Sequence, residues 1–117
     1  YDIYDKEIPV IAKLIRKHKI ECRTTNNTTR ESSQISGHPI AKEAGGLSGD
    51  ALTQKSRHIL SEFHRILQDE IPIISVGGIS SGAEAKERLE RGAKLIQLYS
   101  GLIYRGPGLV KEILNAI

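Results

Sequence analysis

The sequence predicts an α/β fold in which parallel strands alternate with helices. The first observation is the mostly β-branched run at residues 71–76, which is typical of a strand buried on both faces. The second is the glycine pair at 77–78, which closes that run before a helical pattern begins. The third is the repetition of this order, since a second buried strand is predicted at 93–98, followed by small residues at 99–101. Two consecutive βα units are therefore predicted.

The loop after the first of these strands has features of an anion site. Gly77 and Gly78 lack Cβ atoms and so allow a ligand to approach the backbone closely. The next helix begins with Ser81 and Glu84 in capping-box spacing and ends before Gly92. Its free N–H groups and the positive end of its dipole are expected to face the same spot, which predicts a bound anion there. A simple tight turn is the alternative interpretation of the two glycines.

The remaining segments extend the alternation. An amphipathic helix is predicted over residues 8–18 and a polar strand within residues 20–29. A further helix, apolar on one face at 59–67, leads into the strand at 71. The last helix is expected to start near Pro107 and to present one apolar face, made of Leu109, Val110, Ile113 and Leu114.

Two loops are candidate site segments. Residues 30–43 are polar and aperiodic, and a loop of that length is uncommon unless it is functional or mobile, so a lid is predicted. Residues 44–49 form another glycine cluster, flexible enough to wrap a cofactor. The hydroxyl of Ser48 in that cluster can donate or accept a hydrogen bond.

The length bounds the architecture. In a (β/α)₈ barrel the loops after strands 7 and 8 frequently form a phosphate site, and the two βα units fit those positions. A whole barrel needs roughly 250 residues, whereas this chain has 117. We therefore predict that residues 1–117 are the C-terminal segment, about the last three βα units, of a single (β/α)₈ TIM-barrel domain. An open α/β domain is the structural alternative.

The composition excludes several classes of protein. The formal charge is +3, and the 17 Lys and Arg residues are spread among 14 acids, which indicates a solvated surface rather than a nucleic-acid-binding stripe. Cys22, the one cysteine, excludes an internal disulfide and is expected to be a small buried residue. No run approaches the roughly 18 apolar residues of a membrane span, so the segment is expected to be soluble. The abrupt start at Tyr1 suggests a piece of a longer protein.

The histidines do not form a recognisable reactive group. They lack the spacing of metal ligands or of a catalytic triad, so neither a metal site nor a catalytic histidine is predicted. These residues are His18, His38, His58 and His64.

Four motifs, in order and with spacing kept, closely resemble the C-terminal part of the dihydroorotate dehydrogenase family, and most closely its class 2, quinone-using members. They are Asn27-Thr-Thr, Gly45-Gly-Leu-Ser-Gly, Ile73-Ile-Ser-Val-Gly-Gly-Ile and Gln97-Leu-Tyr-Ser-Gly-Leu-Ile-Tyr-x-Gly-Pro. The resemblance covers nearly the whole chain from about Ile8. It implies an FMN enzyme on a (β/α)₈ barrel that oxidises dihydroorotate to orotate in pyrimidine biosynthesis, with a membrane quinone as electron acceptor.

The resemblance also implies roles for individual residues. The FMN phosphate is expected on the backbone of Gly77, Gly78, Tyr99 and Ser100. Further FMN contacts are expected from Ser48, Gly49 and Asn26, and substrate contacts from Asn27 and Thr28. Turn chemistry is the alternative interpretation of the two asparagines. The chain departs from the family at Asn26, where a threonine is usual, and at Arg23 and Thr24, where apolar residues are usual.

Other parts of the family's machinery are expected outside this segment. The general base, a serine in class 2 enzymes, should lie upstream of Tyr1, together with a flavin-contacting lysine. Membrane-associating N-terminal helices should lie there too, and they would place the enzyme peripherally at an inner membrane, bacterial or mitochondrial. No catalytic residue is therefore assigned in this segment, which needs the remainder of the barrel as its partner. The alternatives are a non-catalytic phosphate-binding βα module and another FMN or phosphate-binding barrel.

Overall fold

The computed structural model describes residues 2–25, 28–30, 37, 39 and 45–117. The predicted alternation of helices and strands is confirmed over these residues, with two additional short helices, at 49–52 and 100–105. The elements are α1 (Ile8–Lys17), β1 (Arg23–Thr24), a 3-10 helix (Gly49–Leu52), α2 (Thr53–Leu67), β2 (Ile73–Val76), α3 (Gly82–Glu90), β3 (Ala93–Gln97), α4 (Ser100–Arg105) and α5 (Gly108–Ala116).

The three strands form one parallel sheet in the order β1-β2-β3. The register pairs Arg23 with Ile73 and, on the other side of β2, Val76 with Gln97. Parallel neighbours need a crossover connection, and helices α2 and α3 provide the two crossovers. All three strands therefore end at the same edge of the sheet, which is where the predicted site segments follow them.

Helices α1 and α2 cover one face of the sheet. Phe63, Leu60 and Leu67 of α2 are fully buried in the core there. Burying a side chain of this size stabilises the fold by about 1.5–3 kcal/mol. The same cluster includes Ile8, Ala12, Ile15, Ile59, Ile73 and Ala93. A second apolar cluster joins α3 to α5 and consists of Ile79, Ala85, Leu109 and Ile113.

Local signals explain where α1 and α3 begin. Proline occupies the first turn of α1, where its missing N–H removes no helical hydrogen bond. Ser81 caps α3, because the N–H of Glu84 donates to its hydroxyl over 3.1 Å. Sequence analysis predicted both helix starts to within a residue.

Arg23 shows how β1 accommodates a charged side chain beside the core. Its guanidinium lies 5.4 Å from the centroid of the Phe63 ring, a cation–π geometry. The side chain is half-buried, and this burial lowers the pKa of the guanidinium. The strand predicted within residues 20–29 is confirmed only at the two residues of β1.

The prediction of a second buried strand, at residues 93–98, is wrong for most of β3. In β3, Leu95 is 60 % exposed and Gln97 is also exposed. The reason is that the described helices pack against one face of the sheet only, and Ile74 in β2 is likewise only half-buried on the other face.

Three smaller expectations also differ from the structure. Cys22 is exposed rather than buried, because it lies in the turn between α1 and β1. In α5, Leu109 and Ile113 are buried, but Val110 and Leu114 are exposed, so the packed face is narrower than predicted. Helix α4 was not predicted at all. Among the described helices, none is long and apolar enough to cross a membrane.

Gly92 ends α3 in a conformation that a side chain would strain. Its φ is +102°, and a Cβ built there would lie 2.4 Å from the His64 ring. We expect Gly92→Ala to lower the free energy of unfolding by about 2 kcal/mol or more, measured by denaturant titration. The matched control is Gly108→Ala in α5, where a Cβ meets nothing within 4 Å, and which should change stability by less than about 1 kcal/mol. Equal effects of the two variants would contradict this account.

Candidate functional site

A cavity of about 130 Å³ lies at the edge where the three strands end. It is lined by four segments: Thr28 after β1, the Ser48–Gly49 pair at the start of the 3-10 helix, residues 76–79 at the end of β2, and residues of the 97–101 stretch at the end of β3. Pockets for a whole drug-sized ligand occupy about 300–1,000 Å³. The cavity therefore suits one group of a ligand rather than an entire ligand.

The structure brings together most of the residues singled out from the sequence. Those lining the cavity are Thr28, Ser48, Gly49, Gly77, Gly78, Tyr99 and Ser100. The hydroxyl of Ser100 donates to the hydroxyl of Ser48 over 3.0 Å, which joins the segment after β3 to the one before α2. Tyr99 is 74 % exposed although it lines the cavity. Asn26, Asn27 and most of the predicted lid lie outside the described residues.

A carboxylate fixes the segment that carries Thr28. Asp2 accepts hydrogen bonds from the Thr29 hydroxyl at 2.5 Å, the Arg30 N–H at 2.9 Å and the Lys55 ammonium at 2.7 Å. Burial alone would raise the pKa of Asp2, but these hydrogen bonds outweigh it and lower the pKa to about 2. Thr29 in turn exchanges two backbone hydrogen bonds with Leu47, at 3.0 and 2.7 Å. Residue 28 is thereby held beside the loop that carries Ser48.

The backbone after β2 has its carbonyl groups turned toward α2. The Ser56 hydroxyl lies 2.9 Å from the carbonyl oxygen of Val76 and 3.0 Å from that of Gly77. The Thr53 hydroxyl donates to the Gly78 carbonyl over 2.8 Å. A trans peptide places its N–H opposite its carbonyl, and the described residues contain no cis bond. In each of these peptides, the N–H group of the next residue therefore faces away from α2.

Gly78 is required here for packing as well as for its dihedrals. Its φ is +70°, and a Cβ built on it would lie 2.5 Å from the backbone nitrogen of Thr53. A side chain at this position would therefore push against α2 and not, as a simple cradle model suggests, into the ligand's own space.

The expectation that the N-terminus of α3 holds an anion is corrected by the structure. The Gly82 N–H donates to the Glu112 carboxylate over 2.8 Å, and the Glu84 N–H donates to Ser81. These first-turn donors are therefore already engaged within the chain. The helix that begins in the cavity is α4, at Ser100, and it has no side-chain cap. A short extra helix of this kind contributes to phosphate sites in (β/α)₈ barrels.

Three residues that position the site were missed by the sequence analysis. Thr53 and Ser56 look like ordinary polar residues of α2, and Arg88 was counted with the solvated charges although it is fully buried. Ser56 and Arg88 are buried polar residues on the inner sides of their helices, but a helical period alone does not identify the carbonyl groups that they meet.

The histidines and a second cavity do not add to this site. His18 is exposed, the His58 ring lies 2.7 Å from the Asp5 carboxylate, and His64 packs against Gly92. A larger cavity of about 710 Å³ lies between residues 3–6 and α2, away from the ends of β2 and β3. His38 lies outside the described residues. Within the part of the chain that the structure describes, no cluster of His, Cys, Asp or Glu could hold a metal ion.

A parallel sheet crossed over by helices, with a glycine-lined cavity at the carboxyl ends of its strands, defines a ligand-binding α/β protein. A sequence model of the family described as "Dihydroorotate dehydrogenase" matches residues 2–117. The chain belongs to the dihydroorotate dehydrogenase family, as its motifs indicated.

Individual relatives agree with this assignment. The chain is 46 % identical over 115 residues to "Dihydroorotate dehydrogenase (quinone)" of Chromobacterium violaceum, covering 98 % of this chain and 33 % of that protein. It is 48 % identical over 114 residues to the protein of the same name from Vibrio cholerae, covering 97 % of this chain and 34 % of that protein. The chain thus spans about a third of the length of the curated relatives it matches.

Solved structures support the fold. The crystal structure of the Eimeria tenella enzyme DHODH in complex with ferulenol matches with a TM-score of 0.89 and 29 % identity, covering 98 % of this chain and 30 % of that one. The ligand-free type from the same organism matches with the same TM-score and covers 32 % of that chain. The sheet and its helices are therefore part of an α/β barrel, as predicted.

The Asp2 carboxylate should make stability depend on pH. Its folded-state pKa of about 2 lies below the ordinary value of 3.8, so its contribution is complete above about pH 4 and is lost as the pH falls toward 2. We expect Asp2→Asn to lower the free energy of unfolding by up to about 2 kcal/mol at pH 7 and by much less at pH 2.5, measured by urea titration. The exposed Asp50, changed to Asn, is the control and should show no such dependence. An equal loss from Asp2→Asn at both pH values would refute the role given to the carboxylate.

Proposed function

We propose that this chain is the part of a dihydroorotate dehydrogenase that binds the FMN phosphate and the dihydroorotate ring. The complete enzyme would oxidise dihydroorotate to orotate in pyrimidine biosynthesis and use a quinone as electron acceptor. The observation that carries the proposal is the convergence of three motif segments, containing Ser48, Gly77 and Ser100, on one cavity. The names of the two bacterial relatives, which specify a quinone enzyme, support the same activity.

The chemistry of the cavity fits a phosphate. Its described lining contains no carboxylate, so nothing there repels an anion. The carbonyl groups after β2 are engaged on the α2 side, which leaves the opposite N–H groups to act as donors. We assign the phosphate to the backbone of Gly77, Gly78, Tyr99 and Ser100. The Ser48 hydroxyl, the backbone of Gly49 and Asn26 would contact the rest of the FMN.

The substrate side of the proposal rests on Asn27 and Thr28. An amide offers a donor and an acceptor together, which suits a ring that carries carbonyl, N–H and carboxylate groups. Thr28 lines the cavity from the side of β1, so a ring bound there would lie next to the cofactor. Fixed hydrogen bonds from these two residues would orient the reacting carbon of the substrate.

Bound FMN would supply the hydride acceptor and the route for electrons to the quinone. The residues of this chain would bind and orient, and none of them is proposed as the general base. Residues 1–117 would belong to one barrel domain, and the exposed sheet face that carries Leu95 is where the remainder of that barrel would pack. The complete enzyme would associate peripherally with an inner membrane through parts outside this segment.

The first test uses the complete protein that contains this chain. Intact mass and the visible absorption spectrum come first, and a flavin spectrum is expected. Anaerobic addition of dihydroorotate should then bleach the flavin absorbance, and a water-soluble quinone should restore it. A colourless protein that binds phosphate but does not react would favour a non-catalytic module. A flavoprotein that is not bleached would favour another FMN barrel.

Asn27→Ala in the complete protein separates the substrate site from the cofactor site. We expect the rate of bleaching by dihydroorotate to fall at least tenfold, because the ring loses an oriented donor and acceptor, while the flavin content stays unchanged. The exposed Asn115 of α5, changed to Ala, is the control and should behave as the unmodified protein does. Loss of flavin from Asn27→Ala would mean that this residue serves the cofactor instead.

A further inference from the structure

The guanidinium of Arg88 is fully buried behind the loop that follows β2. Its Nε donates to the Glu84 carboxylate over 2.5 Å, and its Nη1 donates to the hydroxyls of Ser56 and Ser75 over 3.0 and 3.1 Å. Its Nη2 donates to the carbonyl oxygens of Thr53 and Gly77, both over 3.1 Å. An arginine has five N–H donors, and each of them has an acceptor here.

The charge of this arginine is balanced on the side away from the cavity. Glu84 pairs with Arg88 and, through its other oxygen, with Arg57. Burial would raise the pKa of Glu84, but the hydrogen bonds from the two arginines outweigh it and lower the pKa. The ion pair is therefore held charged in the interior, where an apolar replacement of similar size is often no less stable. Stability alone does not account for an arginine at this position.

The positions of the guanidinium nitrogens of Arg88 give a more specific reason for an arginine here. Nη2 ties the first turn of α2, at Thr53, to the carbonyl of Gly77. That carbonyl belongs to the same trans peptide as the N–H of Gly78, so holding the oxygen toward Arg88 turns the N–H to the opposite side. Both glycines line the cavity.

We propose that Arg88 is a positioning residue for phosphate recognition, which holds the Gly77 carbonyl and thereby directs the Gly78 N–H toward the phosphate of the ligand. The inference rests on the proposed function, because it needs a phosphate in the cavity. Arg88 touches no ligand itself. Its effect should be confined to ligands that carry the phosphate, since its contacts end at the peptide that would bind that group.

The experiment compares FMN with riboflavin, which is the same flavin without the phosphate. The complete protein is stripped of flavin, and the dissociation constants of both ligands are measured by fluorescence titration. The measured quantity is the ratio of the riboflavin constant to the FMN constant. We expect Arg88→Met to reduce this ratio at least tenfold while changing the riboflavin constant by less than threefold. General damage to the fold would weaken the binding of both ligands and leave the ratio of the two constants unchanged.

The control is Arg91→Met on the same helix. The guanidinium of Arg91 donates to the Glu87 carboxylate on the exposed side of α3 and to the Ser61 hydroxyl of α2, away from the glycine loop. It should keep the unmodified ratio. An unmodified protein that binds both flavins equally would overturn the phosphate site and this inference together. A normal ratio in the unmodified protein that Arg88→Met leaves unchanged would overturn the role of Arg88 alone.

If Arg88→Met does not fold, the same ratio is measured for Arg88→Lys. The single ammonium of lysine can pair with Glu84 but cannot also occupy the Nη2 position between the carbonyls of Thr53 and Gly77. We therefore expect a folded protein whose ratio is reduced at least threefold. An unchanged ratio in Arg88→Lys would overturn the proposal.

Discussion

The carbonyl groups of residues 76–78 are all bonded to the first turns of α2, with Arg88 adding a second bond at Gly77. This one constraint connects the core to the cavity. Helix α2 is held in place by fully buried side chains such as Phe63, so the hydroxyls of its first turns have fixed positions. Because the peptide unit is rigid, fixed carbonyls mean fixed N–H groups on the opposite side. A donor set that is already oriented loses little freedom when an anion binds.

The other walls of the cavity depend on similar intramolecular bonds. Asp2 holds the segment after β1, and Ser100 reaches the loop before α2. Glu112 accepts from the Gly82 N–H and Ser81 from the Glu84 N–H at the start of α3, whereas the glycine loop and the start of α4 line the cavity. These contacts come from all parts of the chain, which explains why the site needs the folded sheet.

One face of the sheet is not covered by the described helices. Leu95 in β3 and Ile74 in β2 are apolar, yet the described helices leave them partly open to solvent. In a barrel this face is filled by side chains from the other strands. The chain spans about a third of the length of its relatives, so the exposure of β3 is what a sector of a barrel should show. A buried strand was expected at 93–98 because its apolar residues alone do not show how much of the sheet the chain covers.

The amino-acid sequence by itself determined the alternation of helices and strands, the glycine loops and the family, because these depend on local periodicity and on short motifs. It also singled out Ser48, Gly77 and Ser100, which line one cavity in the folded chain. Only the tertiary structure decided which carbonyl groups are bonded to α2 and that Arg88 is buried. Those features depend on hydrogen bonds between residues far apart in the sequence, such as Ser56 to Val76 and Arg88 to Thr53. A helical period shows which side of a helix is packed, but the partner on that side is set by how the elements assemble.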